Sequence, residues 1–259
     1  MKSLPDTTVL RIQGVALGVV HSGWLERALE PPSPFRLDDH GDLQLICALE
    51  TFSSRSAALA DWAGTARDRW GLPGWREERV VIRDGSEPRF CIERALLRPL
   101  GLVLPSVQAC AYCQTEAGPL LWIARRAAHK PVDPGCFDAL VAGGIAGFDT
   151  AWSTLIRECQ EEAGIPQAMA QCAQASGSLD IRYDAIDHAL RVTHREHIHL
   201  HDLKLPADFI PTPNDGEHQA IVAMSALQAW NSTLQDAWTP DGAQATRALI
   251  QRHRWLDLA

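Results

Sequence analysis

Between Gly143 and Ile165 the chain reads Gly-Gly-Ile-Ala-Gly-Phe-Asp-Thr-Ala-Trp-Ser-Thr-Leu-Ile-Arg-Glu-Cys-Gln-Glu-Glu-Ala-Gly-Ile, and no other stretch restricts the fold so tightly. Gly143 and Gly144 predict a turn, a helix is expected from about Thr150 to Ala163, and Gly164 ends it. Trp152, Leu155, Ile156 and Cys159 recur at the spacing of a buried stripe. Glu158 and Glu162 are four residues apart and Glu161 is three from Glu158, which predicts three carboxylates on one side of the helix. Like charges stacked in this way destabilise a helix unless a cation neutralises them. Oxygen-only ligands suit a hard ion such as Mg²⁺ or Mn²⁺, and such ions can bridge the oxygens of a diphosphate. Arg157 can pair with Glu161 one turn on or hold the entry loop, and Asp149 has the short carboxylate of an N-cap. A solvated glutamate-rich helix face is the ordinary alternative.

The flanking sequence supplies a framework of two domains, expected at 1–104 and 105–259. In the first, strands are expected at Val15–Val20, Leu43–Leu49, Arg79–Ile82 and Arg89–Ile92, and helices at Ser22–Leu29 and from Ser54 to Trp70. In the second, Val107–Tyr112 and Leu120–Arg125 read as strands, and Phe137–Val141 leads into the glycines. An antiparallel pair follows at Leu179–Tyr183 and Ala189–Leu200. Pro206–Glu217 reads as a proline-rich loop before a strand at Ile221–Met224, and two helical pieces, Leu227–Trp238 and Ala243–Trp255, close the chain.

Several further groups carry chemistry. Arg125, Arg126 and Lys130 match the oxygens of a distal phosphate, or form a solvated basic turn. His197, His199 and His201 share one strand face by alternation, either around a transition metal or lining a polar surface. Cys110 and Cys113 form a lone Cys-x-x-Cys with no second pair nearby, and seven cysteines mostly in apolar runs fit reduced thiols. Trp75-Arg76-Glu77-Glu78 reads as a hydrated turn with one anchored Trp. With 24 Lys and Arg against 32 Asp and Glu, a net charge of −8 argues against broad nucleic-acid binding. No apolar run of about 18 residues and no leader pattern is present, so a soluble, cytoplasmic protein with no membrane partner is expected.

The spacing Gly143, five residues, Asp149, seven residues, then Arg157-Glu158-Cys159-x-Glu161-Glu162-x-Gly164-Ile165 resembles the Nudix box. The box normally has Glu where Asp149 stands and an aliphatic residue where Cys159 stands. The resemblance implies an α+β fold, the Nudix α/β/α sandwich with a mixed sheet, here preceded by a smaller α+β N-terminal domain. It implies Glu158, Glu161 and Glu162 as metal ligands and Arg157 orienting Glu158. Gly143, Gly144 and Asp149 would form the box loop. It also implies an added carboxylate before a late strand, as ligand or base, for which Glu217 and, as a rival, Glu196 are available; Glu161 is the other candidate base. A small-molecule diphosphate is the implied partner, and a homodimer is a common arrangement in the family.

A second resemblance covers nearly the whole chain. Gly-Trp at 23–24, Gly-Trp-Arg-Glu-Glu at 74–78, Phe-x-Ile-Glu-Arg-Ala at 90–95, Ala-Arg-Arg at 124–126, Asp-Leu-Lys-Leu-Pro-Ala-Asp-Phe-Ile-Pro at 202–211 and Asp-Gly-Glu at 215–217 carry it. These are similar to Nudix proteins related to the module fused to thiamine pyrophosphokinase in some fungi. That subgroup implies hydrolysis of thiamine diphosphate analogues, such as oxythiamine diphosphate, to monophosphates. Alternatives are an ADP-ribose or dinucleotide pyrophosphatase, an isoprenoid diphosphate isomerase-like enzyme, a decapping enzyme, and a nucleotide-sensing module without catalysis.

Overall fold

A computed structural model describes residues 5–46, 50–72, 74–130, 132–187 and 189–256. Cys47, Pro73, Pro131 and the end of the strand expected to reach Leu49 lie outside them. In chain order the elements are β1 (Thr7–Ile12), β2 (Val15–His21), α1 (Ser22–Leu29), β3 (Phe35–Leu37), β4 (Leu43–Leu45), α2 (Phe52–Trp70), β5 (Arg79–Asp84) and β6 (Glu87–Glu93). Next come β7 (Val103–Thr115), β8 (Gly118–Arg126), β9 (Phe137–Asp138), β10 (Val141–Gly144), α3 (Ala151–Ala163) and α4 (Gln167–Ala170). The remainder is β11 (Gln174–Asp187), β12 (Leu190–Lys204), β13 (His218–Ser225), α5 (Ala226–Ser232) and α6 (Pro240–Arg252). No helix among the described residues is long and apolar enough to cross a membrane.

The chain divides into two compact units. The first holds residues 1–104 together with Ala146–Phe148 and the far half of the β11–β12 hairpin, Asp180–His197. Its sheet runs β2-β1-β4-β3, with β1 and β4 parallel and the other pairs antiparallel. Helix α1 buries Trp24, Leu25 and Ala28, and α2 buries Leu59, Trp62, Ala63 and Ala66, both at helical spacing. Edge-to-face ring pairs, Phe35 on Trp62 at 5.0 Å and Trp24 on Trp70 at 6.1 Å, fill the space between them. Helix α2 begins two residues earlier than the sequence pattern predicts, because Thr51 caps it and Ser54 is the third residue of a capping box. The hairpin is part of this unit's structure. Val192 joins its core, and Arg195 donates to the carbonyls of Leu17 and Gly101 at 3.0 and 3.2 Å.

The second unit is built on the sheet order β11-β12-β7-β8-β13, with β10 added to β7 and β9 to β8. On β7, Val107, Ala109 and Ala111 pack with Leu155, Cys159 and Ala163 of α3, while Gln108 between them reaches Asp241 of α6 at 2.5 Å. Alternate strand residues point to opposite faces, so α3 and α6 cover opposite sides of the sheet, a helix–sheet–helix sandwich. The two glycines expected in a turn lie within β10 instead, Gly143 opposite Val107 and Gly144 opposite Ser106. The turn comes later, at Gly147, whose φ is +52°.

Gly101 is in the left-handed region at φ +58°, and a β-carbon there would meet the backbone of Val19. Gly101→Ala is expected to destabilise the first unit by about 2–4 kcal/mol, combining backbone strain with a backbone clash. Urea unfolding followed by tryptophan fluorescence checks this; an unchanged midpoint would contradict the close approach.

Candidate active site

Helix α3 is delimited by strong local signals. Thr150 caps it, its hydroxyl accepting from the Ser153 amide at 3.0 Å while Ser153 accepts from the Thr150 amide at 2.9 Å. Asp149 stands exposed one residue earlier and is not the cap. At the other end Gly164 adopts φ +62°, and the Ile165 amide turns back to the Cys159 carbonyl at 2.9 Å.

The three box glutamates do not share one environment. Leu155, Cys159 and Glu162 lie at i, i+4 and i+7, so Glu162 continues the buried stripe and is only 3% exposed. Trp152, expected in that stripe, is 43% exposed with its ring 6.2 Å from that of His201. Glu158 is mostly covered, and a β-carbon at Gly143 would collide with its carboxylate, so the glycine admits that side chain. Glu161 faces outward. Arg157 joins the pair from the solvent side, at 2.9 Å from Glu158 and 2.8 Å from Glu161.

A loop that is remote in sequence completes the centre. Its backbone docks on the carbonyl end of α3: the Thr212 amide donates to Ala163 at 3.1 Å, the Asn214 amide to Glu162 at 3.3 Å, and the Asn214 side chain to Gln160 at 3.2 Å. These bonds satisfy carbonyls that a helix end leaves open. They also bring Asp215 and Glu217 to Glu162, so that one ligand atom of each lies within 4.8 Å of the others. The Asp215 carboxylate accepts from the Glu217 amide at 2.8 Å, which fixes the turn around Gly216. Asp215 is the residue the sequence reading missed as a site residue; its signal was Asp-Gly-Glu ahead of a strand.

Burial holds the Glu162 carboxyl well above the ordinary carboxylate range, and the charges of Glu158, Glu217 and Asp215 push it the same way. The Ala142 amide, donating at 2.8 Å, works against that rise. Glu158 is raised too, by burial first, with Arg157 opposing. An oxygen-only set that is short of positive charge fits a hard divalent cation.

Over residues 104–249 the chain matches the family model described as the NUDIX domain, more than half of its 259 residues. The chain belongs to the Nudix family. A second model, described as a domain of unknown function (DUF4743), matches residues 2–103. Nudix hydrolase 20, chloroplastic, of Arabidopsis thaliana is 32% identical over 75% of this chain and 51% of its own length. Nudix hydrolase 24, chloroplastic, of the same plant is 28% identical over 89% of this chain and 63% of its own. The chain thus spans about half to three-fifths of the length of these curated relatives. The crystal structure of DR0079 from Deinococcus radiodurans is similar at a TM-score of 0.46 and 18% identity, covering 66% of this chain and 98% of that one.

Within this Nudix domain the basic residues divide. Arg126 pairs with the buried Asp138 at 3.0 Å and also donates to the Val132 carbonyl, so its guanidinium is held by the fold. Thr239 and the Ala139 amide complete the Asp138 carboxylate's bonds, although burial still pushes its pKa up to about 7. Arg125 is exposed, donating to Gly135 with its guanidinium 5.7 Å from the Phe137 ring. Lys130 pairs with Glu217.

The described histidines of the row do not bring three ligand atoms together. The group of three ligands found among the described residues is Glu162, Asp215 and Glu217. His197 pairs with Asp180 at 2.7 Å, and Glu196 with His194 at 2.9 Å, both within the first unit. Cys110 and Cys113 are buried, and burial pushes the Cys110 thiol up to about 12.

His201 is buried, and burial lowers its pKa below 6.5. Below pH 6.5 the unfolded chain takes up a proton that the native ring refuses, so stability falls as the pH drops toward the folded value. Above pH 6.5 this group adds no slope. His201→Gln is expected to reduce the acid-side loss by up to about 1.4 kcal/mol per pH unit, the limit for one proton. Parallel urea titrations at pH 7.5, 6.5 and 5.5 measure it; identical slopes in both proteins would refute the buried neutral ring.

Proposed function

We propose that the chain is a Mg²⁺- or Mn²⁺-dependent hydrolase that cuts the diphosphate linkage of a small organic diphosphate to leave a monophosphate. The observation that carries this reading is the convergence of Glu162, Asp215 and Glu217 beside a largely covered Glu158. Glu158 and Glu162, with Glu161 at the exposed edge, would hold the cation from the box side, and Asp215 and Glu217 from the loop side. When bound, such a cation neutralises phosphate charge and acidifies water. Arg157 bridges Glu158 and Glu161, which offsets their mutual repulsion and fixes their orientation. Of the three candidate bases, Glu217 is favoured, because it lies with Glu162 and Asp215, whereas Glu161 faces solvent beside Arg157 and Glu196 pairs with His194. Glu217 would accept the proton of the water attacking phosphorus as the monophosphate leaves.

For the organic half of the substrate, thiamine diphosphate analogues such as oxythiamine diphosphate are the first class to test. The support is the resemblance of several sequence motifs to thiamine pyrophosphokinase-related Nudix proteins, some of them in residues 2–103, outside the catalytic box.

Glu162→Gln is expected to lower phosphate release at least about 10³-fold while leaving the circular dichroism spectrum and melting temperature near wild type, since a neutral isostere still accepts from Ala142. Release should be assayed with Mg²⁺ on thiamine and oxythiamine diphosphates, ADP-ribose, NADH, diadenosine polyphosphates and nucleoside triphosphates. Turnover by the variant at the wild-type rate would refute the site. Binding without release from any compound would favour a sensing module, and a product keeping both phosphates an isomerase.

A further inference from the structure

Lys130 is the cation that the centre's chemistry has not yet accounted for. Its ammonium donates to the Glu217 carboxylate, one of the three that converge, and its side chain is only 13% exposed. The fold sets this pair through the backbone as well. The Ala127 amide donates to the Glu217 carbonyl at 2.8 Å, and the Lys130 amide to the Ala127 carbonyl at 3.2 Å. His218, the next residue, is in register with Arg126 where β13 meets β8. The two segments are therefore clamped together with lysine facing glutamate.

The neighbouring guanidinium groups are committed differently. Arg126 spans Asp138 and the Val132 carbonyl, and Arg157 spans Glu158 and Glu161. Planar forks of this kind are held by several acceptors at once. An ammonium is a compact charge on a flexible four-carbon stem and can change partner by rotation about that stem. A divalent cation drawn to Glu162, Asp215 and Glu217 would bring two positive charges against the one already on Glu217. The more highly charged ion would outcompete the ammonium for the carboxylate, which would free Lys130 for another negative charge.

We propose that Lys130 is a positioning residue that competes with the divalent cation for Glu217, and that the ammonium displaced in this competition grips the distal phosphate of the substrate. This rests on the reading of the centre as the cation and diphosphate site. It couples cation binding to phosphate binding: each favours the other, because both require lysine to leave glutamate.

The test uses the full chain and Mn²⁺ alone, with binding read by electron paramagnetic resonance. Lys130→Met is expected to bind Mn²⁺ about tenfold tighter than wild type, in the range of a coupling between adjacent charges. Glu217→Gln should bind it more weakly, and adding Lys130→Met to Glu217→Gln should give little further gain, because the competition has lost its object. With Mn²⁺ saturating, Lys130→Met should bind inorganic phosphate about tenfold more weakly, and Lys130→Arg should recover part of that loss. Should Lys130→Met fold poorly by circular dichroism, Lys130→Gln takes its place. An equal or weaker Mn²⁺ affinity in the lysine variant would overturn the competition. So would a gain that persists in full in the Glu217→Gln background, which is the signature of general charge removal. Unchanged phosphate affinity would overturn the grip. If Glu162→Gln binds Mn²⁺ as well as wild type does, the reading of the centre fails instead, whatever the lysine variants do.

Discussion

Everything in the second unit is arranged around the cost of placing carboxylates where water cannot reach them. Glu162 occupies a position in the apolar stripe of α3 that a leucine would fill, and it is only 3% exposed. A charge there is expensive unless something opposite in sign faces it. The protein supplies one fixed dipole, the Ala142 amide of β10, and adds three more acids within range. The acids outweigh that dipole, and Arg157 and Lys130 offset part of their charge by pairing with Glu158 and Glu217. A cation held among these acids would relieve that deficit.

Backbone and side chains both build the scaffold that meets this demand. Strand β10 lies on β7 through paired glycines, so α3 can approach until the Glu158 carboxylate occupies the space a β-carbon would need at Gly143. The loop 206–217 takes up the open carbonyls at the end of α3 and in doing so delivers Asp215 and Glu217. Arg126 and Asp138 pin the end of β8 from the opposite side of the sheet, where Thr239 at the start of α6 shares the same carboxylate. Basic residues close in sequence therefore do unrelated jobs: Arg126 holds the end of β8, and Lys130 faces the acids.

The first unit shows a different economy. Its core is carried by tryptophans on two helices and by a hairpin that reaches it from more than seventy residues later in the chain, so a cut after residue 104 would remove Val192 and Arg195 from their partners. Composition and periodicity located α1 and α2, because helical spacing of Trp24, Leu25, Leu59 and Trp62 is a local property. They could not show that Asp180–His197 belongs with them, since that depends on how far β11 and β12 extend and on what their ends meet.

The sequence by itself determined the helix and the acids it carries. The spacing from Gly143 to Ile165 places glutamates one turn apart on a helix bounded by Thr150 and Gly164, and those are short-range rules of helix geometry and capping. It also marked Glu217 and Lys130 as chemically apt. Which of the acids is buried, and which others join it, was decided only by the tertiary structure. Glu158, Glu161 and Glu162 look equivalent as residues of one helix; they differ because the sheet covers one side of α3 and solvent the other. Asp215 stands fifty-three residues beyond Glu162 in sequence and beside it in space, because a docked loop answers the open carbonyls of the helix end. Burial and long-range hydrogen bonding set those environments, and neither is a property of any stretch of chain taken alone.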